Sequence, residues 1–160
     1  KTLGTGDPER MFVEGLLADI GHLVMFQAAP EATDAALAAA HQAQAPVHEL
    51  EQEIVGCNYA EVGAALASAW HLPSGFAAAI GAQIQPALAG PHVTEAALLH
   101  IANQILITAE DAEPEVAALA LIDPMVGARL ELDTDKLARI RGIAESEQGA
   151  VIALFFPAQG

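Results

Sequence analysis

The sequence contains a single cysteine, Cys57, in 160 residues. One thiol cannot close an intrachain disulfide, and it cannot supply the paired cysteines of a structural zinc site. A chain of this length buries roughly 70% of the surface that it exposes when unfolded, so it can build a core without either device. We therefore expect one domain over residues 1–160, in a reducing and cytoplasmic setting.

Positive charge is also scarce, since six Lys and Arg residues stand against 21 Asp and Glu residues, which gives a formal net charge of -15. Such a surface repels phosphate backbones and anionic lipid headgroups. The longest strongly apolar runs, residues 116–122 and 151–156, are far shorter than the roughly 20 residues that a membrane helix needs. The sequence therefore predicts no direct nucleic-acid binding and no membrane span. It also lacks the GxSxG and GxxxxGK[ST] motifs of serine hydrolases and phosphate-binding loops.

Aromatic residues make up only 4% of the chain, and runs of β-branched residues with period two are missing. Alanine and leucine are abundant instead, which favours closely packed helices and an all-α fold. Asp7-Pro8, and Asn58 with Glu61, are typical helix starts, whereas Gly56 and Pro73 interrupt the periodic segments. About seven helices are predicted, over residues 8–28, 31–43, 46–55, 59–71, 75–84, 94–109 and 134–155. We expect a short helix and a turn between residues 110 and 132.

The first predicted helix is apolar over most of its circumference, with one stripe formed by Phe12, Leu16, Leu23 and Phe26. This pattern predicts a central, buried helix. Gly15 and Gly21 within it cost about 1 kcal/mol each against alanine, which is most simply explained by the close approach of a neighbouring backbone.

Polar residues in this region are the candidates for chemistry. Asp19 falls on the apolar stripe, so its carboxylate needs a partner, and we expect a helix N–H or a histidine to supply one. One combination of residues could bind a metal ion. It consists of Asp19, His22 three residues later, and His100 from across the core. His100 and Asn103 share a helix face, and we expect a core hydrogen-bond pair there, because a lone histidine usually bonds a backbone carbonyl or an acid.

Several segments together resemble a known family. Residues 12–23, FVEGLLADIGHL, resemble the GLLHDIG signature of the HD superfamily of metal-dependent phosphohydrolases, and more closely its regulatory HDOD branch. Residues 59–73, YAEVGAALASAWHLP, are similar to the HDOD segment HAEVGALL…W.LP, and residues 99–106 resemble HLANRL. Residues 79–86 fall where the family often has AIRHHHDP. The resemblance covers about residues 7–107 and implies an HD-like helical bundle that lacks the family's N-terminal helices.

The resemblance also locates the positions where an HD phosphohydrolase holds its His and Asp metal ligands. In this sequence those positions carry Ala18, Asp19, Tyr59, Ala82, Gln83, Ile84 and Asn103. Only Asp19 keeps an ordinary ligand, and metal-dependent hydrolysis needs several ligands around the ion. We therefore expect a degenerate site with no metal, no cofactor and no catalysis.

What the HDOD resemblance implies is a non-catalytic output module of bacterial signal transduction, acting through protein–protein interaction and of the kind that is attached to a response-regulator receiver. The partner protein is not named by the sequence, and a homodimer contact through alanine-rich faces is an open alternative. A residual phosphohydrolase or phosphodiesterase using Asp19, His22 and His100 is another. A nucleotide or other small-ligand sensor in the vacated pocket is a third, although the basic residues cluster far away, within residues 129–141.

Overall fold

A computed structural model describes residues 7–155 of the chain and the side chains of residues 7–147. Residues 7–155 contain α-helices and one 3₁₀-helix and no β-strand, which confirms the all-α prediction. The helices are α1 (Pro8–Leu17), α2 (Ile20–Ala28), α3 (Pro30–Ala43), α4 (Val47–Ile54), α5 (Tyr59–Ala69), α6 (Ser74–Gly81), the 3₁₀-helix (Pro86–His92), α7 (Val93–Ile107), α8 (Pro114–Leu121), α9 (Pro124–Leu130) and α10 (Thr134–Phe155).

The number of helices differs from the prediction of about seven. Residues 7–155 form ten α-helical segments, or nine if α1 and α2 are counted as one interrupted helix. The predicted helix over residues 8–28 breaks at Ala18 and Asp19, where Asp19 has the non-helical angles φ -103° and ψ 5°. The segment between residues 110 and 132 holds two helices rather than one, because Pro114 and Pro124 each begin a helix and Asp123 caps the second.

The predicted helix starts are confirmed by their caps. Asp7 accepts a hydrogen bond from the Glu9 backbone N–H at 3.0 Å. Asn58 accepts from the backbone N–H groups of Ala60 and Glu61, and the Glu61 side chain accepts from the Asn58 N–H in return. This reciprocal capping box fixes the residue at which α5 begins, and hence the position of Tyr59.

The chain divides after His100 into two compact units. In the first unit, α5 packs against α2 and α6. Its core includes three clusters of buried side chains: Ala67, Phe76, Ala79, Ile80 and Leu99 in the first, Met25, Tyr59 and Ala60 in the second, and Ala82, Ala89 and Ala96 in the third. In the second unit, α8 packs against α10, and Arg141 Nε lies 3.0 Å from Glu115 Oε1. The expectation of a single domain over residues 1–160 stays a prediction.

The first helix is not buried as predicted. Phe12, Leu16 and Leu23 are 68%, 66% and 66% exposed. The opposite face makes the contacts instead, because Gly21 and Met25 are buried. The apolar pattern ran around most of the helix, so it could not say which side would face the core.

The stretch Pro8–Ala28, taken as one helix of 21 residues with a mean hydropathy of 1.3 over an 18-residue window, is the one stretch within the described residues that is long and apolar enough to cross a membrane. The core helix of a folded domain passes the same test of length and composition. The stretch is also broken at Asp19. One stretch of this kind is not sufficient evidence for a membrane-spanning helix.

The two glycines of this region provide a matched pair of variants. A Cβ at Gly21 would lie 1.9 Å from the Tyr59 carbonyl oxygen, whereas a Cβ at Gly15 would have nothing within 4 Å. We expect Gly21→Ala to lower the free energy of unfolding by about 3 kcal/mol, because α2 and α5 must separate. Gly15→Ala should raise it by up to about 1 kcal/mol through helix propensity. Urea unfolding followed by circular dichroism measures both, and equal effects would contradict the packing described.

Candidate functional site

His22, in the first turn of α2, is held between two carboxylates. Its Nδ1 lies 2.7 Å from Oδ1 of Asp19, the residue just before α2. Its Nε2 lies 2.9 Å from Oε1 of Glu51 in α4, a close ion-pair contact rather than an aligned hydrogen bond. The imidazole also stacks on the Tyr59 ring, with 4.3 Å between ring centroids and 16° between the planes. The resulting His22 cluster consists of Asp19, His22, Glu51 and Tyr59.

Glu51 is the buried member of the His22 cluster, with a side chain that is 0% exposed. Its second oxygen, Oε2, accepts a hydrogen bond from the backbone N–H of Tyr59 at 2.9 Å. Tyr59 is the first residue of α5, so this carboxylate lies at the positive end of that helix dipole. Glu51 therefore joins α4 to the first turns of both α2 and α5.

The two carboxylates set the charge of His22. Burial alone would lower the pKa of His22, but Asp19 and Glu51 more than offset that effect and raise it from 6.5 to about 9. The hydrogen bond from His22 lowers the pKa of Asp19, against a smaller opposing effect of desolvation. At neutral pH the cluster is therefore an imidazolium between two carboxylates. A protonated imidazole has no lone pair to offer to a metal ion.

Gln83 forms a second set of contacts at the positions that the family resemblance singled out. It lies just after α6 and is 2% exposed. Its side-chain amide Nε2 donates to the backbone carbonyl of Ala18 at 2.7 Å, at the break between α1 and α2. Its own backbone carbonyl lies 2.9 Å from Nδ1 of His100, which must carry a proton to donate to it.

Among the predicted site residues, the structure places Asp19 and His22 in direct contact. Asp19 lies on His22 but its side chain is 77% exposed rather than buried in an apolar stripe. His100 is buried and bonds a backbone carbonyl, the arrangement expected of a core histidine. Asn103 is half-buried on the part of α7 that belongs to the second unit. Within the described side chains, no group of three or more His, Cys, Asp or Glu residues is arranged to hold a metal ion.

Two buried glutamates were missed by the sequence analysis. Glu51 lies four residues after Val47 and four before Val55, and both valines pack on the core. An acid at the centre of this i, i+4 apolar row was the signal that could have revealed it. Glu14 is also 0% exposed and pairs with Arg10, whose Nε lies 2.8 Å from Oε1.

Glu14 belongs to a different arrangement from the His22 cluster. Burial raises the pKa of Glu14, although the hydrogen bond and charge of Arg10 act in the opposite direction. The Arg10 guanidinium lies 5.3 Å from the ring centre of Phe76 and packs tightly against Gly75, where a Cβ would have no room. The pair therefore fixes α1 against the start of α6.

The sequence matches the HDOD domain family over residues 1–86, which is more than half of the chain. The chain belongs to the HDOD family. The matched part contains the HDOD positions Ala18, Asp19, Tyr59 and Gln83 discussed above, whereas His100 and Asn103 lie beyond it.

One solved structure similar to this HDOD chain is that of a protein named "Putative phosphohydrolase" from Shewanella amazonensis SB2B. The TM-score is 0.64 and the sequence identity is 28%, over 84% of this chain and 51% of that chain. The HDOD chain thus spans about half the length of this neighbour. No curated protein matches this HDOD chain.

The charge of His22 makes the stability of this HDOD chain depend on pH. Because the folded-state pKa of about 9 lies above the unfolded value of 6.5, the contribution of His22 is fully present below pH 6.5 and is lost as the pH rises through 9. We expect a loss on the order of 2 to 3 kcal/mol between about pH 6.5 and pH 10. Urea unfolding across this range measures it, with His22→Gln as the control that should lack the component. Parallel curves for the two proteins would show that His22 is not held as a cation.

Proposed function

We propose that this HDOD chain is a non-catalytic regulatory module of bacterial signal transduction, which acts by contact with other proteins. The observation that carries the proposal is that Asp19 and Gln83, two of the residues at the metal-ligand positions of the HD resemblance, are already bonded within the chain. Asp19 and Glu51 are both engaged with His22, and the Gln83 amide is engaged with the Ala18 carbonyl. At two positions where an HD phosphohydrolase would direct ligands at a metal ion, Asp19 and Gln83 are directed at other groups of this chain.

The donor set does not fit a catalytic metal. Metal-dependent hydrolysis needs neutral imidazoles and free carboxylates on an ion that lowers the pKa of a bound water. His22 is cationic at neutral pH, so its imidazole has no lone pair for an ion. Ala18 offers no side-chain donor, and the amide of Gln83 is a weak ligand. Metal binding would therefore have to displace the ion pairs that join α2, α4 and α5.

A regulatory role assigns a different task to the same residues. A rigid helical unit held by internal ion pairs can present a fixed surface, and a domain joined to it can change how often that surface is available. We propose attachment to a response-regulator receiver, a cytoplasmic location and a protein partner as the setting of this module.

The second candidate is a residual phosphohydrolase or phosphodiesterase. The likeness to the Shewanella protein, at 28% identity, is the observation in its favour. It requires Asp19, His22 and His100 to bind an ion, and hence a state in which Asp19 and Glu51 release His22.

Metal content and activity distinguish the two candidates. We expect protein purified without chelators to hold less than about a tenth of an equivalent of Mn, Fe, Co, Ni and Zn by mass spectrometry, since the donors are already paired. We also expect no manganese-dependent hydrolysis of bis(p-nitrophenyl) phosphate. Asp19→Ala should leave both readings unchanged.

Asp34→Ala, which removes an exposed carboxylate on α3, is the matched control. About one equivalent of metal that Asp19→Ala abolishes and Asp34→Ala retains would overturn the proposal in favour of the hydrolase. Phosphoester cleavage with the same dependence on Asp19 would have the same meaning.

A further inference from the structure

One face of α1 and α2 is apolar and uncovered. Phe12, Leu16 and Leu23 are each about two-thirds exposed, and Phe26 is 37% exposed. Phe12 and Leu16, four residues apart, lie on one face of α1, and Leu23 and Phe26, three residues apart, lie on one face of α2. We call these four residues the apolar stripe. Contiguous exposed apolar side chains of this kind mark interaction sites, and their helical spacing suits the binding of another helix.

Gly15, beside the apolar stripe, is a second and independent observation. It lies within α1, where glycine costs helix stability. The close approach of Tyr59 explains the other glycine of this region, Gly21, but a Cβ at Gly15 would meet nothing within 4 Å. A missing side chain on an open helix face allows another backbone to come close.

The charges around the apolar stripe indicate what kind of helix it would bind. The exposed ionisable side chains of α1 and of the break before α2 are acidic, namely Glu9 and Asp19. The two basic groups, Arg10 and His22, are turned toward Glu14 and Glu51. A second copy of the chain would bring acid against acid at a net charge of -15 per copy. A helix with Lys or Arg beside its apolar face is complementary instead.

We propose that the apolar stripe of α1 and α2 is the docking surface for an amphipathic helix of a partner protein, with basic residues along both edges of its apolar face. This inference rests on the proposed regulatory function and names the surface and the chemistry of its partner. The leucines and phenylalanines of the stripe supply the apolar contact, Gly15 lets the two backbones approach, and Glu9 and Asp19 attract the basic edges.

The test uses a synthetic amphipathic peptide of about 18 residues, roughly five helical turns, with Leu on one face and Lys on both edges. A second peptide carries Glu in place of Lys. We expect saturable one-to-one binding of the Lys peptide by fluorescence anisotropy, weakened by salt, and no binding of the Glu peptide. Leu16→Glu and Gly15→Leu should each weaken binding at least about tenfold.

Leu88→Glu is the matched control, because Leu88 is 74% exposed in the same unit but lies on the 3₁₀-helix. It adds the same charge and should leave the affinity unchanged. Circular dichroism checks that each variant is folded, and Leu23→Glu replaces Leu16→Glu if the latter is not.

Three results would overturn the inference. The Lys peptide could fail to saturate, or Leu88→Glu could weaken binding as much as Leu16→Glu, which would indicate general attraction to an acidic protein. Sedimentation could instead show a dimer that Leu16→Glu dissociates, which would assign the stripe to a second copy. None of these results changes metal content or phosphoester cleavage, so failure here is distinguishable from failure of the proposed function.

Discussion

The buried carboxylate of Glu51 is the group on which the geometry of the first unit depends. A carboxylate without contact with water is costly unless its oxygens are satisfied. One oxygen of Glu51 accepts the Tyr59 N–H at the start of α5, and the other faces the imidazolium of His22 on α2. Losing one member of such a buried pair typically costs about 3 to 5 kcal/mol. Glu51 therefore links α2, α4 and α5 at one point, in addition to the packing of Met25 against Tyr59.

The residues around His22 and Gln83 stabilise one another through stacking and hydrogen bonds. Tyr59 presents a ring face to the imidazolium, where stacking and cation–π attraction favour the charged form. The break between α1 and α2 puts the Ala18 carbonyl within reach of the Gln83 amide. Asp19 and Gln83 thus contribute to holding the unit together, and the proposed regulatory role is built on that pairing.

What the sequence could predict was decided by local interactions. The all-α class, the capping box at Asn58 and the HDOD resemblance depend on residues close together in the chain, and they were predictable. The burial of the first helix was predicted wrongly. A helix with apolar residues around most of its circumference has no sequence pattern that shows which face packs against the core. The burial of Glu51 had a local signal in the apolar row of Val47 and Val55, but its pairing with His22 had none, because the two charges are distant in sequence and meet only in the folded unit.

The pair formed by Arg10 and Glu14 has a consequence for how the protein exchanges protons with solvent. Glu14 Oε2 and Arg10 Nη2 are buried and without a hydrogen-bond partner. Burial raises the pKa of Glu14 in the folded chain. As the pH falls, Glu14 therefore binds a proton in the folded chain before it does so in the unfolded chain. Mild acid, which weakens many proteins by neutralising their paired carboxylates, favours the folded form at this position.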